Sequence, residues 1–126
     1  MIEMLEFIVR NLDNITEKSY SADSVPENLK LPYLTYSLPE SVVGELGEDF
    51  QFIIDIWGSS KKLREIETLS KNVVKQFERL VYLDYTFLVR FYLSSRLQIP
   101  DEDSKISRRR LVFTAKTHFV NNNKGE

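Results

Sequence analysis

The stretch 49–57 constrains the fold more than any other part of the chain. Phe50, Phe52, Ile54 and Ile56 alternate there with Gln51, Ile53, Asp55 and Trp57. Successive side chains of a strand point to opposite sides, so this period of two puts four apolar residues on one face and a mixed set on the other. Such a strand needs neighbours to pair with and an apolar layer to cover its first face. Gly58, Ser59 and Ser60 end it, and either serine can accept a bond from the first free N–H groups of a following helix. That helix is read from Leu63, Ile66, Leu69, Val73, Val74, Phe77 and Leu80, a stripe at three- and four-residue steps whose plainest role is core packing.

The same spacing at Ile2, Leu5, Ile8, Val9, Leu12 and Ile15 predicts a helix over residues 2–18. Its polar side mixes Glu3, Glu6, Arg10, Asp13, Glu17 and Lys18, which suits core packing better than a membrane-surface or partner-binding helix with a basic face. Residues 19–30, rich in serine with Asp23, Pro26 and Asn28, read as a surface loop within the domain. Residues 31–38 read as an edge strand, because Pro32 and Pro39 bracket them and proline cannot donate to a ladder. Gly44 and Gly47 mark a turn-like stretch before the alternating strand.

Strand character returns at about Asp84, where Tyr85, Phe87, Val89, Phe91 and Leu93 alternate with Thr86, Leu88, Arg90 and Tyr92. Pro100 and the polar run 101–105 interrupt it. A last strand, about 106–119, sets Leu111, Phe113 and Ala115 against Arg110, Val112, Thr114 and Lys116, and the polar residues 121–126 form a flexible tail. The expectation is one α+β domain over residues 1–120. Its sheet would be four-stranded and mainly antiparallel with two helices on one face, in the order α-β-β-α-β-β. Phe50, Phe52, Ile54, Ile56, Phe87, Val89, Phe91, Leu111 and Phe113 would face the helices.

Composition narrows the function classes. With 126 residues, 42% hydrophobic and 29% charged, the chain has the size and make-up of one globular core. A formal net charge of -2 argues against a general nucleic-acid binder, which would need clustered Lys and Arg to neutralise phosphates. The absence of cysteine excludes a disulfide framework, a zinc-thiolate site and a thiol nucleophile. Four glycines form neither a G-x-G-x-x-G nor a G-x-x-x-x-G-K-S phosphate cradle. Residues 1–10 lack the basic start of a signal peptide, and no run approaches the roughly 20 apolar residues of a membrane span, so a cytoplasmic place of synthesis and no membrane are expected.

Candidate chemistry is sparse. His118, the one histidine, has no motif around it and reads as a surface or structural residue. Asp101, Glu102 and Asp103 lack the spacing and terminal Glu of a calcium loop and read as a solvated hairpin tip. In the run Arg108, Arg109 and Arg110, the middle residue points away from its neighbours on a strand, so the three make no single basic patch. Glu48 with Asp49, or Asp84 with a distant carboxylate, is the nearest approach to an acid–base pair, and nothing in the spacing singles either out. The expectation is no catalytic, cofactor or metal site, and no enzyme.

Several segments together resemble the tail terminator, or tail-completion, proteins of long-tailed phages, the small head–tail joining family. The resemblance rests on the N-terminal helix, the Pro32-Tyr33-Leu34-Thr35-Tyr36 segment and the strand ending in Ile54-Asp55-Ile56-Trp57. It continues through the helix with Leu63, Ile66, Leu69, Val73 and Phe77 to Arg110-Leu111-Val112-Phe113, so it covers about residues 2–119. It implies a ring of six copies that caps the tail tube, stops its polymerisation and meets a head connector protein, with DNA passing through without sequence recognition. It also implies a place in the virion tail or neck after assembly in the host cytoplasm, and no cofactor. Rival readings are a small ligand- or nucleic-acid-binding regulatory module, or a small enzyme on a ferredoxin-like sheet. For an assembly protein, the helix-free face of the sheet is the expected interface, with Ile53, Trp57, Leu88, Arg90, Tyr92 and Val112. The adjoining edge strand, with Tyr33 and Tyr36, is the other candidate, since Trp, Tyr and Arg are enriched at binding hot spots. A curled sheet, or the loop 19–30, would instead close that side.

Overall fold

The computed structural model describes residues 2–38 and 49–120. Among them the elements run α1 (Ile2–Asp13), β1 (Ser19–Ser21), β2 (Tyr33–Ser37), β3 (Phe50–Ser59), α2 (Leu63–Phe77), β4 (Val81–Leu83), β5 (Phe87–Ile99) and β6 (Ile106–Phe119). The strands form one sheet in the order β1-β2-β3-β6-β5-β4. β1 pairs with β2 in parallel and every other pairing is antiparallel. The sheet is curled into a half-barrel.

This overturns the four-stranded, α-β-β-α-β-β expectation. Two strands were missed, and both are three residues long. A segment of that length has no room to show alternation, and Ser-Tyr-Ser carries the composition of a loop. β1 is a strand only because the backbones of Lys18 and Ala22 bond to those of Leu34 and Tyr36 on β2. β2 is consequently an inner strand and not an edge. At the other side, residues 81–83, ahead of the strand expected from about Asp84, pair with 88–90, so that strand starts at Phe87 as the second arm of a β4–β5 hairpin turning at Asp84–Thr86. The predicted turn at Gly44 and Gly47, Pro39, Glu48 and the tail 121–126 lie outside the described residues.

The period-two reading of β3 is matched residue by residue. Phe50, Phe52, Ile54 and Ile56 are buried in the core with Val89, Phe91, Leu111, Phe113 and Ala115, while Phe87 is half-buried against them. α2 lies across β3 and reaches β5 and β6, and α1 packs on α2. The rings of Phe52, Phe77, Phe91 and Phe113 meet at centroid distances of 5.3 to 6.4 Å. Each such buried side chain stabilises the fold by roughly 1.5–3 kcal/mol. Gly58 lets α2 approach β3, because a Cβ there would lie 2.7 Å from the Cδ1 of the buried Ile66. Ser59 accepts from Lys61 N–H before the helix begins, and the residue that caps α2 is Lys62, with no side-chain cap.

α1 stops at Asp13, short of the expected residue 18. Its buried row is Met4, Ile8 and Leu12, at four-residue steps. Leu5, counted in the predicted apolar face, stays exposed, and Val9 is half-buried. β5 and β6 form the longest hairpin, with a register shift between Leu93 and Ser95. The extra residue, Ser94, donates its hydroxyl to the Val112 carbonyl at 2.9 Å. Beyond this bulge Ser95, Leu97 and Ile99 face the same side as Val112, Arg110 and Arg108.

Candidate functional site

The register of β3 and β6 decides what stands on the face that the helices leave uncovered. Ile53 opposes Val112, Asp55 opposes Arg110 and Trp57 opposes Arg108, while Thr35 opposes Asp55 from β2. Asp55 is therefore flanked on one face by two guanidinium groups. Arg108 Nη2 and Nε donate to Asp55 Oδ2 at 2.7 and 3.2 Å, and Arg110 donates to Oδ1 at 2.9 Å and Oδ2 at 3.0 Å. The bonds to Asp55 raise the Arg110 pKa, against the opposing effect of burial. Asp55 is only 6% exposed and Thr35 5%, although no helix lies over them.

The aromatic side chains extend this cluster. Trp57 Nε1–H donates to Thr35 Oγ1 at 3.0 Å, and the Arg108 guanidinium sits 4.4 Å from the indole centroid. Tyr33 stacks on Trp57 at 5.9 Å and 13°, and Tyr20 of β1 meets Tyr33 edge-on at 6.4 Å. Burial, then the charge of Asp101 in the β5–β6 turn, raises the Tyr33 pKa. This half of the face is closed on itself. Its carboxylate is paired with two cations, an arrangement that holds the strands together.

The other half, over β4, β5 and the end of β6, is open. Val81 opposes Arg90 and Leu83 opposes Leu88, while Leu88, Arg90 and Tyr92 oppose His118, Lys116 and Thr114. Leu88 is half-buried, whereas Arg90, Tyr92, Lys116 and His118 are exposed. At the end of the sheet Tyr85 is 99% exposed and Leu83 62%, while Phe119, 64% exposed, lies on the helix side against the ring of Phe87. Lys116 Nζ lies 3.3 Å from Asp49, whose pKa is lowered first by a bond from Thr117 N–H and then by Lys116, against burial. Under this patch Asp84 binds the β4–β5 turn, accepting from Tyr82 Oη–H at 2.6 Å and from the N–H groups of Thr86 and Phe87 at 2.7 Å. Burial raises the Asp84 pKa, but these three hydrogen bonds together outweigh it, so the net shift is downward.

The expected interface residues thus separate. Trp57 and Tyr33 belong to the closed cluster, Ile53 and Val112 form its border with Val112 buried, and Leu88, Arg90 and Tyr92 stand in the open half. Tyr36, offered with Tyr33 on the strand 31–38, stands apart from it. It opposes Ile54 on the helix side, packs against the core, and has its pKa raised by burial and then by Asp13. Tyr85, expected on the core face of a strand, is instead at the tip of a turn. The sequence reading missed Thr35, Arg108, Leu83 and Tyr85 as surface-determining residues. Only Arg108 left a signal, in a carboxylate and two arginines at matching period-two positions on neighbouring strands.

Arg109 points to the helix side, as its alternation requires, and is ion-paired with Glu67 of α2. Asp101 and Asp103 cap the β5–β6 turn by accepting from the N–H groups of Asp103 and Lys105. Among the described residues no group of three or more His, Asp or Glu side chains is gathered to hold a metal, and no helix is long and apolar enough to cross a membrane.

No family model matches the chain, and no curated protein matches it. Among solved structures, the fold is shared with a chain of the virion of a native gene transfer agent particle. The TM-score is 0.61 with 14% sequence identity, over 85% of this chain and 83% of that one. The likeness is one of fold.

Proposed function

We propose that this chain is a structural protein of a phage-like virion, and that within it the chain caps the tail tube and joins tail to head. The observation that carries the reading is the fold shared, over most of both chains, with a component of a gene transfer agent virion. The open half of the helix-free face supports it, because exposed apolar side chains gathered beside Arg90 are the make-up of a protein contact surface. In this reading the copies associate as a ring of six 14.8 kDa chains. The partners are the tail tube protein and a head connector protein, DNA passes through unread, and the chain works in the virion neck without catalysis or cofactor.

The test is genetic removal in a particle-producing host, followed by electron microscopy. Loss of the chain should leave tails of uncontrolled length, separate from filled heads. The parent chain supplied in trans should restore joined particles, and Leu88→Glu should not, although circular dichroism shows it folded. Joined particles with tails of normal length in the absence of the chain overturn the proposal.

A further inference from the structure

The uncovered face and the outward side of α1 carry opposite charge. On the face stand Arg90, Arg108, Arg110 and Lys116 against Asp49 and Asp55, in a chain whose net charge is -2. On α1 the exposed polar residues are Glu3, Glu6 and Asp13 against Arg10. Each surface also carries an apolar strip that the fold covers only in part. On α1 it is Leu5 and Val9, which line a shallow groove with Glu6 and Arg10. On the sheet it is Leu88 and Tyr92 with Arg90 between them.

We infer that the outward side of α1 from a second copy of this chain docks on the open half of the helix-free face. Leu5 and Val9 of one copy lie over Leu88 and Tyr92 of the next, with Glu6 beside Arg90. The contact gives the exposed half of the sheet the same kind of cover that the core half already has, an amphipathic helix on its apolar side chains. The two surfaces lie on opposite sides of the molecule, so the association is head-to-tail and repeats into a closed ring or an open stack. This deepens the assembly reading by naming one of its contacts, and rests on that reading for where the contact is used.

The absence of cysteine from the chain makes the contact directly testable. Leu5→Cys chains are mixed with Leu88→Cys chains, and separately with Tyr92→Cys chains, and oxidised with diamide. Thr68→Cys, on the exposed side of α2, is the control partner. Mixed disulfide dimers should form several-fold faster with either sheet variant than with the control. Adding Arg90→Glu to the sheet variant should slow the mixed product roughly two- to fivefold, the effect of one exposed ion pair, and adding Glu6→Arg to its partner should restore it. Equal rates with sheet and control partners overturn the inference, as does indifference to both charge changes. Particles that join normally while the cross-links fail remove this contact and leave the assembly reading standing. Cross-links that form while particles do not need the chain remove the assembly reading alone.

Discussion

Trp57 and Tyr92 stand on the same side of the same sheet, each near an arginine, and their surroundings differ in every other respect. Trp57 has its N–H on Thr35, Arg108 against its ring and Tyr33 stacked beside it. Tyr92 is exposed next to Arg90, with Leu83 and Tyr85 farther along the same end of the sheet, facing solvent. Aromatic and arginine content therefore does not separate an internal cluster from a docking surface. The deciding feature is a counter-charge in register. Asp55 lies opposite Arg110 and two residues from Trp57, the partner of Arg108, and it draws the closed half together, whereas Arg90 faces Lys116 and Val81.

The largest effect expected from this difference comes from Asp55→Ala. It leaves two guanidinium groups facing each other on a half-buried surface, and should cost about 2–4 kcal/mol in urea unfolding, reduced from the fully buried case because both arginines keep some water. A loss below about 1 kcal/mol would show that the closed half is not held by charge. Next is Asp84→Ala beneath the open half, expected to cost about 1–2 kcal/mol at neutral pH through lost hydrogen bonds to a charged acceptor. The folded pKa of Asp84 is lowered, so its contribution is present above the ordinary carboxylate value of 3.8 and is lost as pH falls through the lower folded value. The stability gap between parent and variant should therefore close at acid pH, and a constant gap would exclude the carboxylate charge as its source.

Smaller again is Trp57→Phe, which keeps the ring and removes the bond to Thr35 and part of the attraction for Arg108. About 1 kcal/mol is expected, measured by thermal unfolding. The smallest effect on folding belongs to the open half. Tyr85→Ser and Leu83→Ser should each change stability by no more than about 0.5 kcal/mol while reducing incorporation into particles. Destabilisation comparable to Asp55→Ala would mean that these side chains serve the monomer, and the comparison between the halves would fail.

The parts of this fold that could be read in advance are those whose pattern is complete within one element. β3 shows its faces in nine consecutive residues, and the alternation correctly set Arg109 apart from Arg108 and Arg110. The stripe on α2 likewise located Ile66, Val73 and Phe77 in the core. Reading failed where an element is too short for a period, as in β1 and β4, and where the backbone leaves the regular path, as at Asp84–Thr86 and the bulge after Leu93. Tyr33 and Tyr36, offered together as one strand, separate for a related reason, since three residues apart on a strand means opposite faces.

The sequence alone determined which side chains each long strand and helix presents together, because backbone geometry imposes a period of two or 3.6 whatever the partners are. It also determined that no disulfide or thiolate site is built, since no cysteine is present. Tertiary structure decided the number of strands, the curl of the sheet and the division of its uncovered face into a closed and an open half. These depend on which residues meet across the ladder. Asp55 and Arg108, 53 positions apart, become a partly buried pair only when β3 and β6 align in one register. A shift of one residue would have turned the same side chains to opposite faces.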